Sequence, residues 1–200
     1  MTPEHRSFYE EEARRRTRTP PAGFRVAIRS AFIATLVEQG SRSVVDLGAG
    51  PGGDGAAFAA AGLRYVGLDL AVGNAGLARE AGLTVVPGSL TAPPFRAGSF
   101  DASWSMSTLM HLDEAETLVA VNEIGRLLRP GAPLLVGLWG GTLGDIVSTF
   151  VIPEHPRRFC LRELDHNREL LGTLARVERI ERRGAGPDGW EYQVLHLRGG

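Results

Sequence analysis

Short runs of apolar residues alternate along the chain with longer stretches whose apolar positions recur every three or four residues. The runs are SVVDLG from Ser43, RYVGLDL from Arg64, LTVVPGSL from Leu83, SFDASWSM from Ser99 and PLLVGLWG from Pro133. Nearly all of their positions are apolar, as in strands covered on both faces. Between them the pattern predicts an alanine-rich helix over 54–61, a helix near 73–81 and a longer one over about 113–128. Such alternation predicts an α/β class: a doubly wound, Rossmann-like sheet, mostly parallel, with helices on both faces.

The ends of the chain depart from this rhythm. Residues 5–18 carry charges at helical spacing with Phe8 and Tyr9 as the large anchors, and Pro20-Pro21 should stop that helix. A second helix is predicted from Phe24 to Glu38, its apolar side made by Val26, Ile28, Phe32, Ile33, Leu36 and Val37, ending at Gly40. Residues 1–40 therefore read as an N-terminal cap or lid segment and 41–200 as the ligand-binding domain, one compact domain together. The last sixty residues pass through a loop rich in glycine and proline (140–157) and a helix over 161–171. LARVERIER and WEYQVLHLR, joined by GAGPDG, then predict a hairpin whose final strand is antiparallel to its neighbour.

Composition narrows the chemistry. The chain has 22 basic and 23 acidic residues, net charge -1, so no global positive field draws nucleic acid or anionic lipid. Every basic residue is arginine, which excludes a lysine Schiff base. The single Cys160 excludes an intramolecular disulfide and a thiolate zinc site, and no metal is expected. With no apolar core of signal-peptide length and no run near the ~18 residues of a membrane span, a soluble, cytoplasmic protein is expected.

The first strand breaks into glycines, SVVDLGAGPGGDG, with two parses. From Gly48 it satisfies the dinucleotide pattern G-x-G-x-x-G; from Asp46 it satisfies D-x-G-x-G-x-G, the pattern of an adenosyl-sulfonium site. Glycines serve either by making a tight turn and letting a ligand approach the backbone. The neighbouring charges favour the second. A carboxylate about 4 Å from a phosphate costs on the order of 4 kcal/mol at an effective dielectric of 20. Asp46 suits an ammonium, directly or through water, and Asp54 reads as a helix cap. Asp69, at the tip of the second strand, can accept both hydroxyls of a ribose, with a turn or helix cap as its alternative role.

The segments VVDLGAGPGG, YVGLDLA, VVPGSLTAPPF, GSFDASWSMSTLMHL and EIGRLLRPGAPLLVGLW, in this order and spacing, resemble the class I S-adenosylmethionine-dependent methyltransferases, and within them the small-molecule branch. The resemblance implies S-adenosylmethionine as cofactor. By it, Asp46, Gly48, Ala49 and Gly50 cradle the methionyl and ribose part, and Asp69 with Leu70 holds the ribose and flanks the adenine. Gly88, Ser89 and Leu90 meet the adenine amino edge, and Ser105 with Met106 lies under the sulfonium. Ser89 departs from the aspartate usual there, and Ala132 from a glycine.

The resemblance implies methyl transfer to an oxygen or nitrogen, less readily a carbon, of a small-molecule acceptor. His111, after the fourth strand, is a candidate general base, or else a histidine that caps the helix near Asp113 or packs beside the cofactor. The segment SWSM stands where related amide-methylating enzymes carry D/N-P-P-Y/F/W, which with the balanced charge argues against a nucleic-acid substrate. Arg157, Arg158 and His155 are candidates for an anionic acceptor, and Trp139 rather than Trp104 for stacking. Tyr9 is expected to reach the methionyl end if the N-terminal helix folds over the cofactor. A monomer or homodimer is expected. Two other functions remain open: a non-catalytic regulatory or scaffold protein that binds the same ligand, and a nicotinamide-dependent oxidoreductase.

Overall fold

The computed structural model describes residues 3–17, 22–142, 144–185 and 189–200. Its strands are β1 (Ser43–Leu47), β2 (Arg64–Asp69), β3 (Val85–Pro87), β4 (Ser103–Met106), β5 (Pro133–Gly140), β6 (Asp145–Ser148), β7 (Arg157–Cys160), β8 (Ala175–Ala185) and β9 (Glu191–Gly199). Seven of them form one sheet in the order β3-β2-β1-β4-β5-β9-β8. Its first five strands are mutually parallel, and β9 runs antiparallel to both β5 and β8. The expected doubly wound sheet with an antiparallel C-terminal strand is present, and the hairpin folds back so that β9 lies inside it.

The helices are α1 (Pro3–Arg15), α2 (Gly23–Glu38), α3 (Gly55–Ala60), α4 (Val72–Glu80), α5 (Glu114–Leu127) and α6 (Leu164–Gly172). On one face of the sheet, Ile28, Phe32 and Leu36 of α2 and Phe58 of α3 pack on Val44, Trp104 and Leu135. On the other, Val121, Ile124 and Leu127 of α5 pack on Val45, Leu47, Leu134 and Val136. Successive residues of a strand point to opposite faces, so Asp46 shares the α2 face with Val44. The α5 start is fixed by a capping box in which Asp113 accepts from the Glu116 amide and Glu116 from the Asp113 amide.

Three details differ from the sequence expectation. Helix α1 stops at Arg15, with Arg16 in the left-handed region at φ 52°, so it ends before the prolines; Pro20 and Pro21 lie outside the described residues. Val26 and Val37 of α2 are exposed, because the buried i, i+4, i+8 stripe is Ile28, Phe32 and Leu36, with Phe24 and Ile33 packed at its side. The 140–157 stretch is not all loop: β6 pairs antiparallel with β7 beyond the carboxyl end of β5. Four-residue strands carry too little periodicity to stand out. Among the described residues no helix is long and apolar enough to cross a membrane.

Candidate functional site

The turn after β1 is built from glycines in the left-handed region: Gly48 at φ 84°, Gly50 at 57° and Gly52 at 84°. A Cβ on Gly48 would lie 1.9 Å from Thr108 Oγ1, so this position admits only glycine. The Gly48 and Ala49 amides both donate to the Leu68 carbonyl, at 2.8 and 3.0 Å, and the Gly50 amide donates to Asp69 Oδ2 at 2.7 Å. The turn is thus tied to the tip of β2, and these three N–H groups are already engaged. These three amides are therefore not offered to a pyrophosphate, which binds free N–H groups.

The two flanking carboxylates behave differently from the sequence expectation. Asp54 does not cap α3: at φ -84°, ψ -29° it is itself helical and makes no side-chain cap bond. It instead accepts from Arg25 Nη2 at 2.5 Å, Arg29 Nη1 at 2.8 Å and Trp104 Nε1 at 3.1 Å. The guanidinium of Arg25, with these hydrogen bonds, outweighs burial and holds its carboxyl below the usual range. Asp46 is 2% exposed and lies behind the turn, where Oδ2 accepts from the Tyr65 hydroxyl at 3.0 Å. Burial, with the Asp54 charge adding to it, pushes its carboxyl up to about 7. Asp54 is therefore neutralised and Asp46 is off the ligand surface, and neither would repel a phosphate as the sequence suggests.

A cavity of about 40 Å³ opens beside the turn, lined by Gly48, Asp69 and Leu70 on one side and by Tyr9, Ser107, Thr108 and His111 on the other. Asp69 Oδ1 accepts from the Ala71 amide at 2.9 Å and from Asn74 Nδ2 at 3.0 Å, which aims the carboxylate across the glycine turn. His111 is 3% exposed; Nδ1 lies 2.8 Å from the Arg158 carbonyl and Nε2 2.7 Å from the Tyr9 hydroxyl. A carbonyl only accepts, so Nδ1 carries a hydrogen, and in the neutral ring Nε2 accepts from the phenol. His111 does not cap α5, because Asp113 does.

Other sequence candidates lie elsewhere. Strand alternation turns Ser105 and Met106 into opposite cores: Ser105 Oγ donates to the Leu47 carbonyl at 2.9 Å, and Met106 Sδ accepts from Tyr192 at 3.4 Å. Ser107, at φ 59°, and Thr108 line the cavity in their place. Leu90 is buried in the α5-side core, Ser89 Oγ is bonded to Thr91, and the Gly88 amide donates to the Asp69 carbonyl. Ala49 is buried beneath the turn, where its methyl would block a Cβ on Gly67.

Helix α1 closes the site through three consecutive residues. Phe8 is buried with Arg157 over its ring at 4.6 Å, Tyr9 bonds His111, and the Glu10 carboxylate accepts from the Val72 and Gly73 amides at 2.7 and 2.8 Å. The last contact caps α4 from another helix, a role no local sequence signal announces.

A second cavity, of about 480 Å³, lies behind Tyr9 and Ser107, which line both. Phe24, Trp139, Phe159, Trp190 and Tyr192 wall it. Arg157 reaches it, whereas Arg158 pairs with Asp145 and His155 lines an outer groove along α1. Trp104 is core, as expected, and Trp139 faces the cavity.

Residues 45–136 match the sequence model of a family described as methyltransferase domain. An uncharacterized methyltransferase of Mycobacterium sp. strain JLS is 40% identical over 115 residues, 56% of this chain and 45% of that protein. A probable chloroplastic tocopherol O-methyltransferase of Oryza sativa subsp. japonica is 32% identical over 149 residues, 68% of this chain and 40% of that one. The chain thus spans less than half the length of these curated relatives. In structure, the 1,6-didemethyltoxoflavin-N1-methyltransferase of Burkholderia thailandensis, solved with bound 1,6-didemethyltoxoflavin and S-adenosylhomocysteine, superposes with a TM-score of 0.64 at 19% identity, covering 91% of this chain and 92% of that one. Residues 45–136, from β1 into β5, thus match a methyltransferase-domain family, and the sheet that carries them has the fold of a methyltransferase of known structure.

Proposed function

We propose that the protein transfers the methyl group of S-adenosylmethionine to an oxygen or nitrogen of a small molecule. The observation that carries this reading is the meeting of two cavities at Tyr9 and Ser107, one against the glycine turn and Asp69, the other walled by aromatic rings. S-adenosylmethionine supplies an electrophilic methyl on a sulfonium, displaced in line by the acceptor. Gly48 and Gly50 would let it lie against the backbone, Asp69 would accept its ribose hydroxyls, and Leu70 would flank the adenine. Asp46 would support the turn from behind through its bond with Tyr65 rather than meet the ammonium end. Gly88, Ser89, Leu90, Ser105 and Met106 would contribute backbone atoms rather than side chains. The aromatic cavity falls in the size range of small-molecule pockets.

Tyr9 and His111 are placed to move a proton. As the acceptor oxygen bonds the methyl, its proton would pass to the Tyr9 oxygen while the Tyr9 proton passes to His111 Nε2; the Arg158 carbonyl, holding Nδ1–H, steadies the resulting imidazolium. The 40 Å³ beside the turn has room for only a few waters, so an adenosyl ligand enters when α1 lifts. Within the N-terminal segment the lid is thus α1, latched by Phe8, Tyr9 and Glu10, whereas α2 stays packed on the sheet. The rice relative, named for O-methylation of a small molecule, supports the acceptor class.

Calorimetry with S-adenosylmethionine and S-adenosylhomocysteine, followed by incubation of a metabolite extract with methyl-labelled cofactor, tests the proposal. Binding of both and transfer of label to a small molecule are expected. No heat with either ligand would overturn it, and binding without any label transfer would leave the non-catalytic ligand-binding function instead.

A further inference from the structure

We infer that the acceptor is a flat aromatic molecule bearing an anionic group, a carboxylate or phenolate, held by the 480 Å³ cavity; this rests on the methyl-transfer reading above. The cavity wall is one continuous line of rings. Phe24 meets Tyr192 at 5.2 Å between centroids, Tyr192 meets Trp139 at 5.2 Å, Trp139 meets Trp190 at 6.3 Å, and Trp190 meets Phe159 at 5.4 Å. Rings packed edge to tilted face present their surfaces to a guest that is itself flat. An aliphatic chain gains only area from such a wall, whereas an aromatic guest gains ring geometry as well.

The line ends on a cation with no counter-charge. The Arg157 guanidinium lies 4.6 Å from the Phe8 ring and 4.7 Å from the Phe159 ring. Its Nε is buried without a hydrogen-bond partner, and among the described residues no carboxylate pairs with it. Its neighbour Arg158 is paired with Asp145, and Arg25, the cavity's other arginine, is held by Asp54. Glu12 reaches the same cavity but carries an interaction of its own. Two rings fix the Arg157 fork in place while leaving its hydrogen-bonding edge unsatisfied, the arrangement that rewards a planar anion. Tyr9 lines the same cavity, its ring 5.1 Å from the Phe8 ring on which Arg157 stacks, so an acceptor anchored on Arg157 lies beside the transfer point.

Two of the three tryptophans, Trp139 and Trp190, line this cavity while Trp104 is buried elsewhere, so occupancy is read from tryptophan quenching. Titrate the intact protein, with and without S-adenosylhomocysteine, with 1-hydroxy-2-naphthoate, its methyl ester and octanoate. The naphthoate is expected to bind at least tenfold more tightly than either of the others, and Arg157→Gln to bring acid and ester within about twofold. The acid-to-ester ratio needs no variant, so it decides even if Arg157→Gln loosens α1. An ester that binds as well as the acid, or octanoate that binds as well as the naphthoate, overturns the inference. S-adenosylhomocysteine heat with no quenching by the naphthoate overturns the acceptor class and spares methyl transfer. The expected ligand ranking with no S-adenosylhomocysteine heat sinks methyl transfer and spares the cavity's preference.

Discussion

Asp46→Asn changes one buried charge and little else, because an amide oxygen can still accept from Tyr65. In the folded protein burial raises the Asp46 carboxyl to about 7, whereas an aspartate in an unfolded chain titrates near 3.9 (about 4). Between those values the folded state holds a proton that the unfolded state has released. Stability of the wild type must then fall as pH rises through this window, by about 1.4 kcal/mol per pH unit, and level off above about pH 7. Over roughly three units the full excursion is on the order of 4 kcal/mol. Asparagine lacks this slope. Its amide hydrogens, if left unpartnered, cost a pH-independent ~1–3 kcal/mol. The stability difference, mutant minus wild type, should therefore climb by about 2–4 kcal/mol between pH 4.5 and 8. Asp54 has the opposite sign: its depressed carboxyl contributes stability above the unfolded value that is lost as pH falls. It is present in both proteins and largely cancels in the difference. Urea unfolding at half-unit pH steps measures the curve. Two parallel profiles would refute the assignment and place an ionised Asp46 at neutral pH, compensated by Arg25.

Three further outcomes follow from the same geometry. Gly48→Ala puts a methyl into Thr108 at a left-handed position and should cost about 3 kcal/mol, or prevent folding, by thermal or urea unfolding; a loss under about 1 kcal/mol would mean the turn is not locked as described. Glu10→Ala removes the shared cap on α4 and should speed amide exchange in α1 and at Val72 and Gly73 by about tenfold or more, at about 1.4 kcal/mol per decade, while exchange in β1 stays as it was; equal exchange in α1 would show that Phe8 and Tyr9 alone hold the helix. Burial, reinforced by Asp145, pushes the Cys160 thiol up to about 11, so iodoacetamide at pH 8 should label the native protein roughly a hundredfold more slowly than the urea-unfolded chain, and comparable rates would contradict its placement.

The sheet and its helices were legible because burial on both faces writes itself as continuous apolar runs. The α5 start was legible because Asp113 and Glu116 sit at capping-box spacing. Residues placed by a strand end were the readable ones, and Gly48, Asp69, Leu70 and His111 all reach the cavity; Tyr9, one of two large anchors on a charged helix, reaches it too. Ser105 and Met106 failed as cavity side chains because the bend that ends β4 falls at Ser107, a left-handed serine that no local pattern announces. The aromatic wall was illegible for a topological reason. Trp139 meets Tyr192 as a cross-strand pair only because β9 inserts beside β5, and Phe24 and Phe159 arrive from α2 and β7.

The glycine turn carries the most general lesson. Asp46 and Asp54 suggested a cationic ligand from their charges, yet β1 alternation alone places Asp46 with Val44 on the α2 face, inside the protein. Arg25 and Arg29, one helical turn apart on α2, converge on Asp54 from a segment twenty-five to twenty-nine residues away. Formal charges near a motif therefore said little about the field a ligand meets. The fate of the backbone donors says more: Gly48, Ala49 and Gly50 spend their amides on Leu68 and Asp69. A turn with its N–H groups so engaged offers shape rather than positive potential. That suits a ligand that lies along the glycines and finds its hydrogen-bonding partner in the Asp69 carboxylate, and it disfavours one that needs a nest of free donors.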